Sequence, residues 1–260
     1  MIAESKLPPN RVLTYHKIAP GIDFGLGCVS PQQFQAQLSA LQTSGYKLVT
    51  LSQLRSEYRA DPMAVAITFD DGYENIWQYA HPLLASAGVP ATVFIITDYI
   101  GKLNSWDISP GFRFRHLNHQ QIRDLIGSGW EIASHGLDHC SLRGLAETEI
   151  NRQLLRSRQQ LERQFGVAVH YFAASFGHAD TRLIGLCRNN GYRGLCQLFP
   201  WRYYRHPHPF IIPRLAVYAT DTPASVRRKI SHGRGFRLEL LCQNLINFCA
   251  NATVLVKVLR

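Results

Sequence analysis

The chain lacks any apolar run approaching the roughly 18 residues that a bilayer-crossing helix needs. Its apolar stretches, such as Val93–Thr97 and Ala252–Val256, stop far short, so no membrane-spanning helix is expected. The opening MIAESKLPPNR has no apolar core between its charges, so no secretory leader is legible. The expectation is a cytoplasmic protein, or one peripheral at a membrane surface, unless its start has been trimmed. The six cysteines, Cys28, Cys140, Cys187, Cys196, Cys242 and Cys249, show no CxxC spacing, which argues for reduced thiols and against a disulfide framework or a cysteine metal site. Neither GxGxxG nor GxxxxGK[ST] is present, which weakens nucleotide-binding readings.

Acidic residues are scarce. Against 28 Lys and Arg there are 18 Asp and Glu, for a net charge of +10, which suits an anionic partner. No nucleic-acid-binding module is recognisable, so no nucleic-acid partner is expected; an anionic polysaccharide or membrane surface suits the charge equally. Arg227, Arg228, Lys229, Arg234 and Arg237 concentrate the charge just before Leu238–Phe248, which carries apolar residues at helical spacing. That segment reads either as a peripheral membrane contact or as a helix packed on the domain with a solvated basic face.

With no repeat, low-complexity tract or linker, residues 1–260 read as one domain, with 218–260 as a helical C-terminal extension. Trp201–Pro213, aromatic, basic and proline-rich, reads as a long surface loop. Arg11–Tyr15 is strand-like, and Ser30-Pro31-Gln32-Gln33 has the N-cap serine, first-turn proline and N3 glutamine of a helix start, running to about Thr43 and stopping near Gly45. Further strand-like runs fall at Tyr46–Thr50, Ala64–Phe69, Thr92–Ile96, Glu131–Ser134, His170–Phe172, Tyr192–Cys196 and Phe210–Val217, with helical stretches between most of them. About eight such units, with continuously apolar strands such as VAITF, predict a parallel sheet closed or nearly closed into a (β/α) barrel.

A barrel carries its site at the C-terminal ends of its strands, and three places there hold polar residues. One strand ends in Asp70-Asp71-Gly72, two like charges that need a cation or protons. Another ends in Ser134-His135-Gly136-Leu137-Asp138-His139; if the chain coils after Ser134, both imidazoles face one way at a separation that one metal ion bridges. The first strand ends in Thr14-Tyr15-His16. Singly each has an ordinary reading, as a turn, a surface histidine pair or a structural histidine. Jointly they offer two imidazoles, a carboxylate ligand and a spare carboxylate as general base.

TFDDGY at 68–73, SHGLDH at 134–139 and FAASFG at 172–177 resemble the ordered motifs of the polysaccharide deacetylase family (NodB-homology, carbohydrate esterase family 4). The opening Tyr15-His16-Lys17-Ile18, followed by the helix from Ser30 to Gly45-Tyr46 and the run Leu48–Leu54, resembles the branch that deacetylates biofilm exopolysaccharides built of GlcNAc. The likeness runs from about Val12 to Val217. It implies a distorted (β/α) barrel of about seven strands and a metal-dependent hydrolase that removes N-acetyl groups from a GlcNAc-containing glycan and releases acetate. By it Asp70 is the general base, and Asp71, His135 and His139 hold a divalent metal, zinc first, with cobalt, nickel and iron accepted by the same ligands. Phe176 presents a backbone N–H to the oxyanion. His16 takes the role of general acid, since no L-x-H element follows Val217.

Two departures stand out. Ser175 occupies the usual proline position of the third motif, and that motif has no arginine. Arg214, in Ile-Pro-Arg-Leu, is the candidate replacement partner for the base, its alternative being a surface arginine. Two other functions stay open: a deacylase of a lipid-linked or small-molecule amide, which suits the absence of a legible leader, or, on the strength of the two departures, an inactive glycan-binding member using Trp106, Trp201, Tyr203 and Tyr204 for stacking. A contact with exopolysaccharide-synthesis machinery also fits; the oligomeric state is not legible.

Overall fold

Runs of β-branched and aromatic residues, buried on both faces, build the central sheet. The computed structural model describes residues 11–21, 26–105, 114–177, 180–198, 208–231, 235–236, 238–243 and 245–246. Cys249, Arg234, Arg237, Trp106, Trp201, Tyr203 and Tyr204 lie outside them.

The chain begins with β1 (Val12–Tyr15), followed by a small parallel pair, β2 (Lys17–Ile18) with β3 (Cys28–Val29). Helix α1 (Pro31–Thr43) comes next, then β4 (Lys47–Val49), α2 (Leu51–Arg55) and β5 (Ala64–Phe69), all six of whose residues are buried. A π-turn over Ile76–Ala80 leads into α3 (His81–Ser86). There follow β6 (Thr92–Ile95), α4 (His119–Gly127), β7 (Glu131–Ser134), α5 (Glu147–Phe165) and β8 (Tyr171–Ala173). The described order ends with α6 (Thr181–Asn189), β9 (Gly194–Gln197), β10 (Ile211–Pro213), β11 (Leu215–Ala216) and α7 (Pro223–Ile230).

Every strand pairing in the nine-stranded sheet is parallel, in the order β10-β9-β8-β7-β6-β5-β1-β11, with β4 added beside β5. Strands β10 and β11 are two halves of one run, bent at Arg214. The first half pairs with β9, placing Ile211 opposite Leu195, and the second with β1, placing Leu215 opposite Leu13. Counting that bent run once, seven strands form a nearly closed barrel, and β4 lies off their path.

The longer helices each bury one stripe, and several begin at a side-chain cap. Along α5, Ile150, Gln153, Leu154, Ser157 and Leu161 are buried, and the helix stops at Gly166 in the left-handed conformation. Ser30 caps α1 by accepting from Gln33 N at 3.2 Å. The Gln33 amide does not complete a capping box; it donates to Ala219 O and Asp221 O instead. Gln37, also on α1, donates to Asp221 O and accepts from Tyr15 OH, while Lys229 on α7 donates to Asp221 Oδ2 at 2.7 Å and to Ala216 O. This buried polar chain ties β1, α1, α7 and the end of β11 together, each charge being paired as burial requires.

Inside the sheet, Phe69 stacks on Trp130 with ring centroids 5.2 Å apart, so Trp130 packs in the core. Each large apolar side chain buried this way contributes about 1.5–3 kcal/mol. Beyond α7, Phe236 and Leu240 pack on Leu215, while Leu238, Leu241 and Leu245 are exposed. No described helix is long and apolar enough to cross a membrane. The five described cysteines are free thiols.

Three expectations change. The run Phe210–Val217 is not one regular strand but bends at Arg214, and its first residues remove the end of the expected loop at Trp201–Pro213. The strand expected from Tyr192 begins at Gly194, because Tyr192 and Arg193 still belong to the turn after α6. No helical coil follows Ser134; the two histidines are brought together by a loop.

Candidate functional site

The parallel strands deliver the candidate residues to one rim. Asp70 follows β5, and its N–H donates to Tyr15 O at 2.9 Å, so His16, the next residue after β1, comes beside it. Likewise His135 follows β7, its N–H donating to Ile95 O of β6 at 2.9 Å. Phe176 lies in a short turn after β8, and Arg214 sits at the bend between β10 and β11.

Arg214 and Asp70, both about 1% exposed, form a bidentate pair with contacts of 2.7 and 2.8 Å. Arg214 is therefore no surface arginine. Burial alone would raise the Asp70 carboxyl; the charge of Arg214, followed by those of His135 and His16, more than reverses that and holds it below the usual carboxylate range. A planar guanidinium engaging both oxygens also fixes the orientation of the carboxylate. The guanidinium lies over the Phe94 ring, 4.7 Å from its centroid, which fills the space beneath it.

Asp71 turns the other way, because its backbone takes a left-handed φ of +67°. Gly72 follows at +64°, where a side chain would be strained in its backbone and its Cβ would stand 2.8 Å from Ile95 Cδ1, forcing that side chain to shift. Asp71 Oδ1 lies 3.2 Å from His135 Nε2 and 3.4 Å from His139 Nε2. One ligand atom from each of the three residues falls within 4.8 Å of the others. Asp71 Oδ1 is buried and accepts no hydrogen bond, an arrangement that a bound cation would satisfy. Burial would raise the Asp71 carboxyl; the two imidazoles set against it hold it well below its ordinary value.

The tautomer of His135 follows from its partner. Its Nδ1 faces Ala173 O at 2.8 Å; a carbonyl only accepts, so Nδ1 carries the hydrogen, and in the neutral ring Nε2 presents a lone pair. The loop to His139 is held by Gln153 of α5, which accepts from Leu137 N at 2.9 Å and donates to Asp138 Oδ1 at 2.9 Å. The imidazoles respond differently. Burial lowers both, but His135, facing Asp70 as well as Asp71, ends above the ordinary histidine value, and His139 ends below it.

Among the described residues, the non-glycine positions with positive φ are Asp71, His139 and Phe176. All three belong to this rim, and such conformations cost of order 1–3 kcal/mol each. The Phe176 ring lies 5.1 Å from that of His139 and is 38% exposed, so an aromatic face borders the cluster. His16 is half-buried, with an Nδ1 that is shielded from solvent and has no hydrogen-bond partner.

Two contributors were missed from the sequence. One is Gln153, hidden in the apolar stripe of α5. The other is His116, 2% exposed, whose Nδ1 faces Asp71 O at 2.8 Å and whose ring stacks on Tyr73. Burial lowers His116 to about 4. No spacing signal marks it, because it lies in irregular chain before α4.

A nearly closed parallel barrel with a buried Arg-oriented carboxylate beside an Asp-His-His cluster has the make-up of a hydrolase rim. The polysaccharide deacetylase family model matches residues 57–195, and the chain belongs to that family. It is 27% identical over 193 residues to the protein YxkH of Bacillus subtilis (strain 168), covering 73% of this chain and 63% of the relative. It is 23% identical over 201 residues to the poly-beta-1,6-N-acetyl-D-glucosamine N-deacetylase of Staphylococcus aureus (strain MSSA476), covering 73% of this chain and 67% of that one. The chain thus spans just under two thirds of the length of the first relative. Among solved structures, the Streptococcus pyogenes deacetylase PplD in complex with acetate superposes with a TM-score of 0.72 at 16% identity, covering 86% of this chain and 99% of that one. IcaB from Ammonifex degensii gives 0.68 at 23%, covering 83% and 93%. These likenesses establish the barrel fold.

Proposed function

We propose that the protein is a metal-dependent hydrolase that removes N-acetyl groups from a GlcNAc-containing poly- or oligosaccharide, releasing acetate and leaving a free amine on the sugar. The observation that carries this reading is the division of labour between two adjacent carboxylates. Asp70 is clamped by Arg214, while Asp71 is turned toward two imidazole nitrogens. The name of the Staphylococcus aureus relative supports the substrate class.

Asp71, His135 and His139 would hold the ion, zinc first, with cobalt, nickel or iron suiting the same donors. When bound there, the ion supplies Lewis-acid polarisation of the acetyl carbonyl and acidification of a water. Asp70, kept ionised and aimed by Arg214, accepts the proton of the attacking water at a carboxylate oxygen. The Phe176 N–H donates to the oxyanion that develops on the acetyl oxygen. His16, across the β1–β5 seam from Asp70, delivers a proton to the departing sugar nitrogen, whose bond to the acetyl carbon then breaks.

The test is acetate release from β-1,4- and β-1,6-linked GlcNAc oligomers by the purified full chain with added Zn²⁺ or Co²⁺, beside Asp71→Ala. Metal-dependent release that disappears in the variant is the expected result. Silence across the panel with metal bound would redirect the reading to another amide substrate, and silence without metal binding would leave an inactive member of the family.

A further inference from the structure

The main-chain carbonyl of Asp71 has an unusual position. Residues up to Phe69 pair within the sheet, and Asp70 N still donates to Tyr15 O. At Asp71 the chain leaves the sheet in the left-handed conformation. A strained non-glycine turn of this kind persists when its surroundings over-determine it.

The surroundings are supplied by residues 115–117. Leu117 N donates to Gly72 O at 2.8 Å, and Glu74 N donates to Arg115 O at 2.8 Å, a short antiparallel bridge centred on Tyr73 and His116. Between those two backbone bonds, His116 Nδ1 meets Asp71 O at 2.8 Å. Since the carbonyl accepts, Nδ1 carries the hydrogen. The imidazole is fixed by its own packing: its ring centroid lies 4.7 Å from that of Tyr73 and 5.3 Å from that of Tyr99, while the backbone N–H of His116 donates to Lys102 O at 2.8 Å and anchors the residue's main chain. Of the three bonds described here between residues 115–117 and the Asp71–Glu74 turn, two are made by backbone, which any residue supplies. The third depends on the side chain at 116.

We propose that His116 is a positioning residue of the metal site: by donating to the Asp71 carbonyl it holds that residue in the conformation that turns its carboxylate toward His135 and His139. This rests on the reading of Asp71 as a metal ligand. His116 acts through the backbone of Asp71 and stands outside the Asp71-His135-His139 group.

The experiment is zinc affinity of the full-length protein, measured by competition with a chromogenic chelator, together with the thermal midpoint of the metal-free protein. Three proteins are compared: wild type, His116→Phe, which keeps an aromatic ring without a donor, and His116→Asn, whose amide nitrogen occupies the place of Nδ1. The expected result is zinc binding weakened about 10- to 100-fold in H116F, the range seen when an outer hydrogen-bonding partner of a metal site is lost. H116N should return to within a few-fold of wild type. Equal zinc affinity in H116F and wild type overturns the inference, and so does equal weakness of H116F and H116N, which would make the residue a packing element. If H116F does not fold, His116→Gln, whose amide extends past the Nδ1 position, takes its place beside H116N. A wild-type protein without one tightly bound zinc per chain overturns the metal-site reading itself, and the inference falls with it.

Discussion

Arg214 and Asp70, 144 positions apart in the chain, meet in two buried hydrogen bonds of 2.7 and 2.8 Å. The arginine lies at the bend between the strand halves that pair with β9 and with β1, so one ion pair serves both the barrel seam and the orientation of the proposed base.

Arg214→Ala should therefore unfold at lower temperature. Removing one partner of a buried pair costs about 3–5 kcal/mol, and for a domain of this size each kcal/mol moves the midpoint by roughly 2–4 °C. The double variant Asp70→Asn with Arg214→Met should recover much of that loss without recovering activity. An R214A protein that melts with wild type would show that the pair contributes nothing to the seam.

Asp70→Asn alone should reduce acetate release roughly 10²- to 10⁴-fold, the usual contribution of a general base, while bound zinc, measured by elemental analysis, stays at the wild-type level. Unaltered turnover would remove Asp70 from the mechanism. Lost zinc would mean that Asp70 is a ligand as well.

Chelation should abolish activity, and added zinc should restore it. Zinc should also raise the thermal midpoint, since a ligand at a hundredfold over its Kd stabilises by about 2.7 kcal/mol. Asp71→Ala should show neither effect. A zinc-dependent shift that persists in D71A would place the ion elsewhere.

Phe176→Gly separates strain from function. The phenylalanine occupies φ +62°, a conformation glycine adopts without penalty, so the variant should be as stable as wild type or up to about 1–2 kcal/mol more so. Its KM for the glycan should rise, because the exposed ring beside His139 is lost. Wild-type KM in F176G would mean that the ring does not meet the sugar.

Glu131 offers a pH test far from the rim. It accepts hydrogen bonds from Ser52 N, Ser52 Oγ and Thr92 Oγ1 at the start of β7, yet burial pushes its carboxyl up against them. A carboxyl with a raised folded-state pKa favours the folded protein while protonated. That contribution is present below the unfolded value of about 4.3 and is lost as pH rises through the folded one. Relative to wild type, Glu131→Gln should therefore become steadily more favourable in urea unfolding from pH 4 to pH 8. A difference independent of pH would refute the assignment.

The barrel was legible because its strands are short, apolar and separated by helical spacing: AVAITF and TVFI announce themselves locally. Two members of the metal-capable trio were legible for the same reason, Asp71 and His135 following strand ends directly, and His139 through its spacing from His135. Arg214 could be named because few cations follow a late strand. What escaped the sequence was decided by tertiary contact. The bend at Arg214 comes from pairing with β9 on one side and β1 on the other, a competition that no local pattern encodes. The approach of His139 to His135 depends on a loop held by Gln153, not on helical periodicity. Gln33 looked like half of a capping box, but the carbonyls of Ala219 and Asp221 claimed its amide. His116 sits where neither periodicity nor a motif speaks.

The bend at Arg214 also orders events during synthesis. Asp71, His135 and His139 leave the ribosome long before residue 214 does, so every proposed ligand is available while the seam between β9 and β1 still lacks its closing strand. The guanidinium that aims Asp70 arrives with that strand. The Asp70–Arg214 pair therefore forms only once that last strand joins β9 to β1.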